Sequence, residues 1–275
     1  MITQKKIVND NTIYNSGELI LPKIYSKDNI KSLIVDKLSL TEGIIIFDKG
    51  LEWTSFDVVA KVRNLLRIKK VGHTGTLDPL ATGLLLICLG KATKIADRLQ
   101  SEIKEYIGVI TIGASSKTDD AEIEPTEFFS TEDITNLVIE NVAFDFIGQT
   151  QQIPPIYSAR KINGRKMYEL AREGEQFIPE SKQIEITEFE VTSITRKLKV
   201  FGVELEKSII EVEFRIVCNK GTYIRSIARD FGMKCNSGGY LTKLRRTKSG
   251  NFDVKNGITI DDLISINNIE KEKLI

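Results

Sequence analysis

One stretch of the chain, from Gly72 to Thr93, constrains the fold more than any other. Its first half is punctuated by three glycines and a proline, which allow or fix backbone angles that other residues avoid. Its second half contains Leu84–Leu89, an apolar run with the length of a buried strand. A tight loop that leads into a buried strand can hold one side chain rigidly in a cleft. The candidates are Asp78 and His73, which is the only histidine of the chain.

Each of these candidates has an ordinary structural interpretation. An aspartate before proline is commonly a turn residue, because this position disfavours helix and the carboxylate bonds nearby backbone groups. A lone histidine is more often structural than a ligand. A phosphate-binding loop is excluded by spacing, because Gly90 and Lys91 follow Gly83 two residues too late for a Walker A loop. In addition, Ala92 stands where such a loop needs a hydroxyl to bind magnesium.

The composition limits the possible classes of protein. The chain has 275 residues, of which 41% are hydrophobic, and this is enough for a packed core. No apolar run approaches the roughly 20 residues that span a bilayer, and we find no secretory or transit pattern. The three cysteines form no CxxC pair and no metal-binding spacing. We therefore expect a cytoplasmic protein without a metal site. The net charge of +1 means that a polyanion would have to bind to local patches.

One such patch is predicted between residues 148 and 174. Paired prolines make its first part extended. Four basic residues then lie between Tyr157 and Tyr168, and these are Arg160, Lys161, Arg165 and Lys166. Basic and aromatic side chains together suit looped or single-stranded RNA, through phosphate pairing and base stacking. The alternative is a charged turn after a core segment.

The flanking segments predict alternating strands and helices. An apolar strand at Gly43–Phe47 precedes a helix that the Thr54–Asp57 capping box opens. The outer face of this helix carries basic residues, and these side chains are either solvated or in contact with phosphates. The acidic segment 117–133 is expected to be a surface loop that faces away from RNA. Another strand, Ile209–Val217, leads into a helix that Thr222 is expected to cap.

Taken together, the motifs resemble those of the TruB family of tRNA pseudouridine synthases. The resemblance covers roughly residues 43 to 260. The motifs are Gly72–Gly83 (GHTGTLDPLATG), Asp48-Lys49 with Thr54-Ser55, Lys104-Glu105-Tyr106, the block 148–174, Lys220–Ser226 (KGTYIRS) and Leu244-Arg245-Arg246. The chain departs from the family pattern at Gly50, where a proline is usual, and at Glu52, where a glycine is usual.

The resemblance implies a mixed α+β fold of the pseudouridine synthase type, with a mostly antiparallel central sheet flanked by helices. It implies conversion of uridine to pseudouridine at position 55, in the T-loop of tRNA, without a cofactor. Asp78 would be the catalytic nucleophile, Arg225 its partner, and Tyr106 a base-stacking residue that assists proton loss at C5. The residues expected to contact the base or the RNA are His73, Tyr223, Leu244, Lys49, Arg160, Lys161 and Arg165. The two arginines after Leu244 suit the RNA backbone.

The sequence also predicts a domain organisation. Residues 1–40 would form an N-terminal extension and 41–250 the catalytic domain, with 148–174 as an RNA-contacting insertion. Residues 251–275 are too few for the PUA domain that many family members carry, since small independent domains usually need about 40 residues or more. We therefore expect the far end of the tRNA to be held weakly or in another way. We also expect the protein to be a monomer.

Two further functions remain open from the sequence. One is a non-catalytic module that binds or folds tRNA on the same scaffold. The intact Asp78, Tyr106 and Arg225 argue against it, because a binding protein does not need all three. The other is a pseudouridine synthase that acts on a different RNA stem-loop, which would use the same chemistry.

Overall fold

The computed structural model describes residues 7–9, 12–15, 18–19, 21–36, 42–100, 102–202 and 205–272. The helices are α1 (Ile30–Asp36), α2 (Ser55–Leu66), α3 (Ala96–Gln100), α4 (Asn136–Phe144), α5 (Met167–Arg172), α6 (Ile224–Lys234) and α7 (Ile260–Glu272). Short 3-10 turns lie at Lys91–Ile95 and Val254–Asn256. None of the helices in the described ranges is both long and apolar enough to cross a membrane.

The strands are numbered in chain order. They are β1 (Ile7–Asn9), β2 (Thr12–Asn15), β3 (Glu18–Leu19), β4 (Ile24–Tyr25), β5 (Glu42–Lys49), β6 (Val71–Thr74), β7 (Ala81–Gly90), β8 (Lys104–Ile112), β9 (Ala114–Ser115), β10 (Glu127–Phe128), β11 (Gly148–Gln152), β12 (Lys161–Ile162), β13 (Arg165–Lys166), β14 (Lys182–Phe201), β15 (Leu205–Cys218), β16 (Gly239–Ser249) and β17 (Phe252–Asp253).

One large sheet organises the fold. Its strand order is β11-β14-β15-β8-β16-β7-β5-β4, with β17 beside β16 and β6 beside β7. Two of its neighbouring pairs, β16–β7 and β4–β5, are parallel, and the others are antiparallel. This confirms the expected mixed, mostly antiparallel sheet flanked by helices.

The sheet is covered on both faces around β5 and β7, because successive side chains of a strand point to opposite faces. Ile45 and Phe47 belong to the larger core, whereas Ile44 and Ile46 belong to a smaller one. The Leu84–Leu89 run divides between the two cores in the same way. A strand that is buried on both faces reads as a continuous apolar run, as the sequence analysis predicted.

Helix α2 packs on the larger core and begins as predicted. The Thr54 hydroxyl accepts the Asp57 N–H at 3.0 Å, and the Asp57 carboxylate accepts the Thr54 N–H at 2.9 Å. The capping box therefore satisfies two backbone donors at the start of the helix. The buried residues on its inner side are Ser55, Val58, Val59, Val62 and Leu66.

Residues on both sides of the proposed catalytic domain contribute to the larger core. Tyr25 and Leu33, within the range assigned to the N-terminal extension, are fully buried there, and so is Ile258 after residue 250. Residues 1–6, 10–11, 16–17, 20 and 37–41 lie outside the described part. The domain boundaries at residues 40 and 250 stay predictions.

Candidate active site

Asp78 lies in the loop between β6 and β7. The Ser55 hydroxyl accepts the Leu77 N–H at 2.9 Å and donates to the Leu77 carbonyl at 3.1 Å, which ties the loop to the start of α2. The Ala81 N–H donates to the Asp78 carbonyl at 3.0 Å, and this closes the turn before β7. Gly75 has a positive φ of 69°, where a side chain would be strained. The loop therefore holds the Asp78 backbone from both sides.

The next carbonyl, that of Pro79, is bound by the segment that follows β5. The Glu52 N–H donates to it at 2.9 Å, and the Lys49 ammonium lies 3.4 Å away. Lys49 also donates to the carbonyls of Gly50 and Trp53 and is fully buried. Burial lowers the pKa of Lys49 to about 8. Lys49 therefore holds the loop from inside, which corrects its assignment as an RNA contact.

Gly83 is needed where β7 meets β16. A Cβ atom there would come 2.3 Å from the Arg246 carbonyl oxygen, and the glycine has a φ of 101°. Arg246 is itself buried and donates to the carbonyls of Leu84 and Gly75. Its position corrects the expectation that Arg246 contacts the RNA backbone, because the guanidinium braces the glycine loop instead.

Arg225 lies in the first turn of α6, opposite Asp78. Its Nε is 2.9 Å from Asp78 Oδ2, and its two terminal nitrogens donate to the carbonyls of Thr118 and Tyr157, each at 3.1 Å. The Arg225 side chain is 7% exposed and that of Asp78 is 42% exposed. Two hydrogen bonds to carbonyls fix the guanidinium, whereas the carboxylate is held only by the ion pair with it and remains open to solvent.

The acidic loop also reaches this site. Asp120 is buried, and its Oδ2 lies 3.6 Å from the Arg225 Nε. One helical turn later, Arg229 pairs with Asp119 at 3.0 Å. Burial raises the pKa of Asp119 to about 6, although Arg229 acts in the opposite direction. The expectation that segment 117–133 faces away from the site is therefore wrong for its first half, while exposed acids lie further along the loop.

A cleft with a volume of about 1040 Å³ opens in front of these residues. Its volume lies at the upper end of the roughly 300–1,000 Å³ that small-molecule pockets occupy. The cleft brings together Asp78, Tyr106, Tyr223 and Arg225, four residues that the sequence analysis selected from distant positions. Its other lining residues include Lys104, Glu122, Tyr157, Arg160, Tyr168, Arg172, Lys182 and Arg246.

Tyr106 forms part of the cleft wall but is 7% exposed. Burial raises the pKa of its phenol, and the neighbouring Arg246 guanidinium counteracts this effect. The phenol therefore stays protonated at neutral pH. Lys104, two residues earlier, donates to the carbonyls of Gln100 and Glu102, and burial lowers its pKa to about 8.

Tyr223 stands at the N-cap position of α6, where Thr222 was expected. The Thr222 hydroxyl donates instead to the Asn219 carbonyl. Buried Gln152 bonds both backbone groups of Tyr223, since its amide oxygen accepts the N–H at 2.9 Å and its amide nitrogen donates to the carbonyl at 3.0 Å. The sequence analysis included Gln152 in the motif block 148–174 but did not select it as a site residue, because its contact with Tyr223 is not visible in sequence.

His73 is in β6, outside the set of residues that line the cleft. Its ring makes a T-shaped contact with Phe56, and burial lowers its pKa. Leu244 lines a narrow recess beside the cleft, together with Asp78, Asp120 and Arg225.

The residues of the predicted basic cluster have different surroundings in the structure. Arg160 lines the cleft and donates to the Glu180 carbonyl at 2.9 Å. Lys161 is exposed on the β12–β13 hairpin. Arg165 is also exposed, but its guanidinium is bonded to the carboxylates of Glu173 and Glu175. The charge of Arg165 is thus partly compensated within the protein, which sequence alone could not reveal.

No group of three or more His, Cys, Asp or Glu side chains within the described ranges is arranged to hold a metal ion. The charged and aromatic residues that line the cleft are instead two carboxylates, four tyrosines, four arginines and two lysines. This set can supply a nucleophile, aromatic stacking and phosphate contacts.

Comparisons with known proteins agree with this arrangement. A family model described as "TruB family pseudouridylate synthase (N terminal domain)" matches residues 63–224. A Flavobacterium johnsoniae protein called "tRNA pseudouridine synthase B" is 47% identical over 224 residues, which are 79% of this chain and 92% of that protein. The protein of the same name from Phocaeicola vulgatus is 42% identical over 231 residues, with 82% and 93% coverage.

Solved structures are similar in fold. A chain from a Cbf5–Nop10–Gar1 complex aligns with a TM-score of 0.62 at 26% identity, and the alignment covers 100% of this chain and 67% of that one. A chain from an H/ACA RNP bound to a substrate RNA containing 2′-deoxyuridine aligns with a TM-score of 0.58 at 24% identity, with 100% and 66% coverage. By the family match and by the extent of its identity with these relatives, the chain belongs to the TruB family of pseudouridylate synthases.

Proposed function

We propose that this protein isomerises uridine to pseudouridine in the T-loop of tRNA, at position 55, with Asp78 as the nucleophile. One observation carries the proposal. A partly exposed carboxylate at the cleft forms an ion pair with a buried arginine, and Tyr106 and Tyr223 line the same cleft. The relatives that are 42–47% identical and are called tRNA pseudouridine synthase B support tRNA as the substrate.

The reaction is internally balanced. The bond from ribose C1′ to uracil N1 breaks, a bond from C1′ to C5 forms, and the proton lost from C5 is matched by one gained at N1. Asp78 can attack either C1′ or the pyrimidine ring, and the carboxylate is regenerated by either route. The chemistry requires no net oxidation and no added group.

The roles of the neighbouring residues follow from their positions. Arg225 would keep the Asp78 carboxylate ionised and oriented, because two carbonyls hold the guanidinium against the carboxylate. The Tyr106 phenol, protonated in its buried position, would stack on the uracil and assist proton loss at C5. Tyr223 and Leu244 would pack against the base from the far side.

The uridine must leave its stack to reach Asp78, at a cost of a few kcal/mol. We propose that His73 fills or supports the vacated position, and that Arg160, Lys161 and Arg165 contact the RNA backbone. Because the Asp78 carboxylate is open to solvent, the RNA itself would have to exclude water from the site. We further propose that the enzyme acts as a cytoplasmic monomer.

A single-turnover assay tests the proposal. A tRNA transcript labelled with tritium at C5 of uridine should release label at one position, and the same transcript with cytidine at position 55 should release none. Binding should weaken steeply as salt rises, since phosphate contacts release counterions. Tight binding without release of label would identify a non-catalytic tRNA-binding module. Release of label from another RNA stem-loop, but not from the T-arm, would show that this other stem-loop is the substrate.

A further inference from the structure

An exposed aromatic ring lies beside the catalytic loop and has no part in the mechanism above. Phe56, the second residue of α2, is 72% exposed. Its ring meets the His73 ring edge-on, with centroids 5.3 Å apart and planes at 83°. Single exposed apolar residues are common on proteins and need no explanation by themselves. The contact with the only histidine of the chain distinguishes this one.

The backbone of Phe56 is fixed to the catalytic loop. Its neighbour Ser55 makes both hydrogen bonds to Leu77, the residue before Asp78. The capping box of Thr54 and Asp57 encloses the same turn and occupies the Asp57 carboxylate. A ring presented from such a turn loses little conformational freedom when it binds a partner, which favours a contact role.

The charged side chains around Phe56 are of both signs. Exposed Glu52 and Asp57 lie at i−4 and i+1, although the capping box engages the Asp57 carboxylate. Exposed Arg63 follows at i+7 on the same side of the helix, and its guanidinium reaches the Val71 carbonyl at 3.5 Å, on the strand that carries His73. Exposed Lys69 and Lys70 lie where the chain enters β6. An aromatic ring can receive a nucleic acid base, and the basic residues further along can receive the phosphates.

We propose that Phe56 is a stacking platform for an unpaired base of the substrate loop, next in sequence to the reacting uridine. The proposal rests on the proposed function, since it assigns a second contact to the same RNA. One face of the Phe56 ring receives the base, and the exposed side chains of Arg63, Lys69 and Lys70 hold the adjoining phosphates. This contact adds a residue outside the cleft to the set that selects the RNA.

The chain supplies a matched control. Phe144, in the last turn of α4, is 73% exposed and has acidic neighbours at the same spacings as Phe56. Its helix packs on β14, whereas Ser55 ties the start of α2 to the residue before Asp78. Phe56→Ala should weaken binding of a T-arm RNA roughly fivefold to a hundredfold, the range for loss of one stacked base. Phe144→Ala should leave binding unchanged, and Phe56→Trp should preserve it. Equal binding by Phe56→Ala and Phe144→Ala would overturn the proposal.

A second experiment identifies the base. The T-arm RNA is prepared with an abasic site at each unpaired position in turn. At one position, next to the uridine, the abasic change should weaken wild-type binding but have no added effect on Phe56→Ala. If every abasic RNA weakens both proteins equally, Phe56 does not stack on a base.

Turnover separates this inference from the proposed function. Wild type and the control Phe144→Ala should have the same single-turnover rate at saturating RNA. If wild type makes no pseudouridine, the proposed function fails, whatever the binding results. If Phe56→Ala lowers the saturated rate and leaves binding unchanged, Phe56 acts only by positioning His73, and the stacking proposal is wrong.

Discussion

Two aspartate–arginine pairs lie near each other in this fold, and they differ in what they leave free. Asp48 and Arg245 form two parallel bonds, of 3.0 and 2.7 Å, which occupy both carboxylate oxygens. Asp78 forms an ion pair with Arg225, whose Nε lies 2.9 Å from one carboxylate oxygen, and its side chain is 42% exposed against 19% for Asp48. A carboxylate with both oxygens hydrogen-bonded serves as an anchor, whereas an open carboxylate in a single ion-pair contact has an oxygen available for chemistry.

The two pairs are joined by a short segment. Arg245 holds Asp48 at the end of β5. In the segment that follows, the Lys49 ammonium and the Glu52 N–H both donate to the Pro79 carbonyl. Pro79 directly follows Asp78. The Asp48–Arg245 pair thus fixes the end of β5, and the residues that follow it hold the loop that carries Asp78.

The largest expected difference is between Asp78→Asn and Asp48→Asn. Asp78→Asn should lower the single-turnover rate by about four orders of magnitude or more, because the nucleophile is lost, with stability nearly unchanged. Asp48→Asn should retain turnover and lose about 1 kcal/mol of stability, since the pair it weakens is partly exposed. Rates and urea unfolding curves of both variants check this, with tRNA binding by Asp78→Asn staying within a few-fold of wild type. Retained turnover in Asp78→Asn would exclude it as nucleophile.

The arginines extend the same comparison. Lysine cannot keep both carbonyl hydrogen bonds of Arg225 together with its ion pair to Asp78, so Arg225→Lys should slow turnover about a hundredfold or more by misplacing Asp78. Arg245→Lys keeps one charge contact to Asp48 and should change the rate little. Parallel single-turnover assays at saturating RNA provide the measurement. Similar losses in both variants would show that the two pairs do not have separate roles.

The sequence predicted the open pair but not the anchored one. Asp78 and Arg225 belong to motifs, and the structure brings both to the cleft with Tyr106 and Tyr223. Arg245 was expected at the RNA backbone because it belongs to the Leu244-Arg245-Arg246 motif, and its partner is not visible in sequence. Its partner, Asp48, lies 197 positions away, and only the sheet brings them together.

Some of the missed features were present in the strand pattern. Ile45, Phe47 and Lys49 alternate along β5, so the parity that buries the first two also buries the lysine. Asp120 had no such signal, because its burial depends on the bridge that the loop makes with Leu241 of β16. An acidic, apolar-poor loop is normally solvated, and long-range pairing overrides that rule here.

Lys49 allows the connection between the pairs to be tested by pH. Its folded-state pKa is about 8, lowered by burial from 10.5. Between these values the unfolded chain keeps a proton that the folded protein has released, so stability rises with pH across this window. Relative to Lys49→Met, wild type should gain up to about 3 kcal/mol from pH 8 to 10.5. Urea unfolding of both proteins at several pH values measures this, and parallel curves would contradict a buried Lys49.

The smallest expected effect concerns Glu52, which has a φ of 66° where the family usually has glycine. A non-glycine residue in this region is strained by about 1 kcal/mol or more, so Glu52→Gly should raise stability by about 1 kcal/mol. Turnover should not change, because the backbone N–H that binds Pro79 is kept. Glu52→Ala removes the same charge but retains the strain, and it should gain nothing in urea unfolding. If the two variants were equally stable, the gain would come from the charge, and the backbone of this segment would not be under strain.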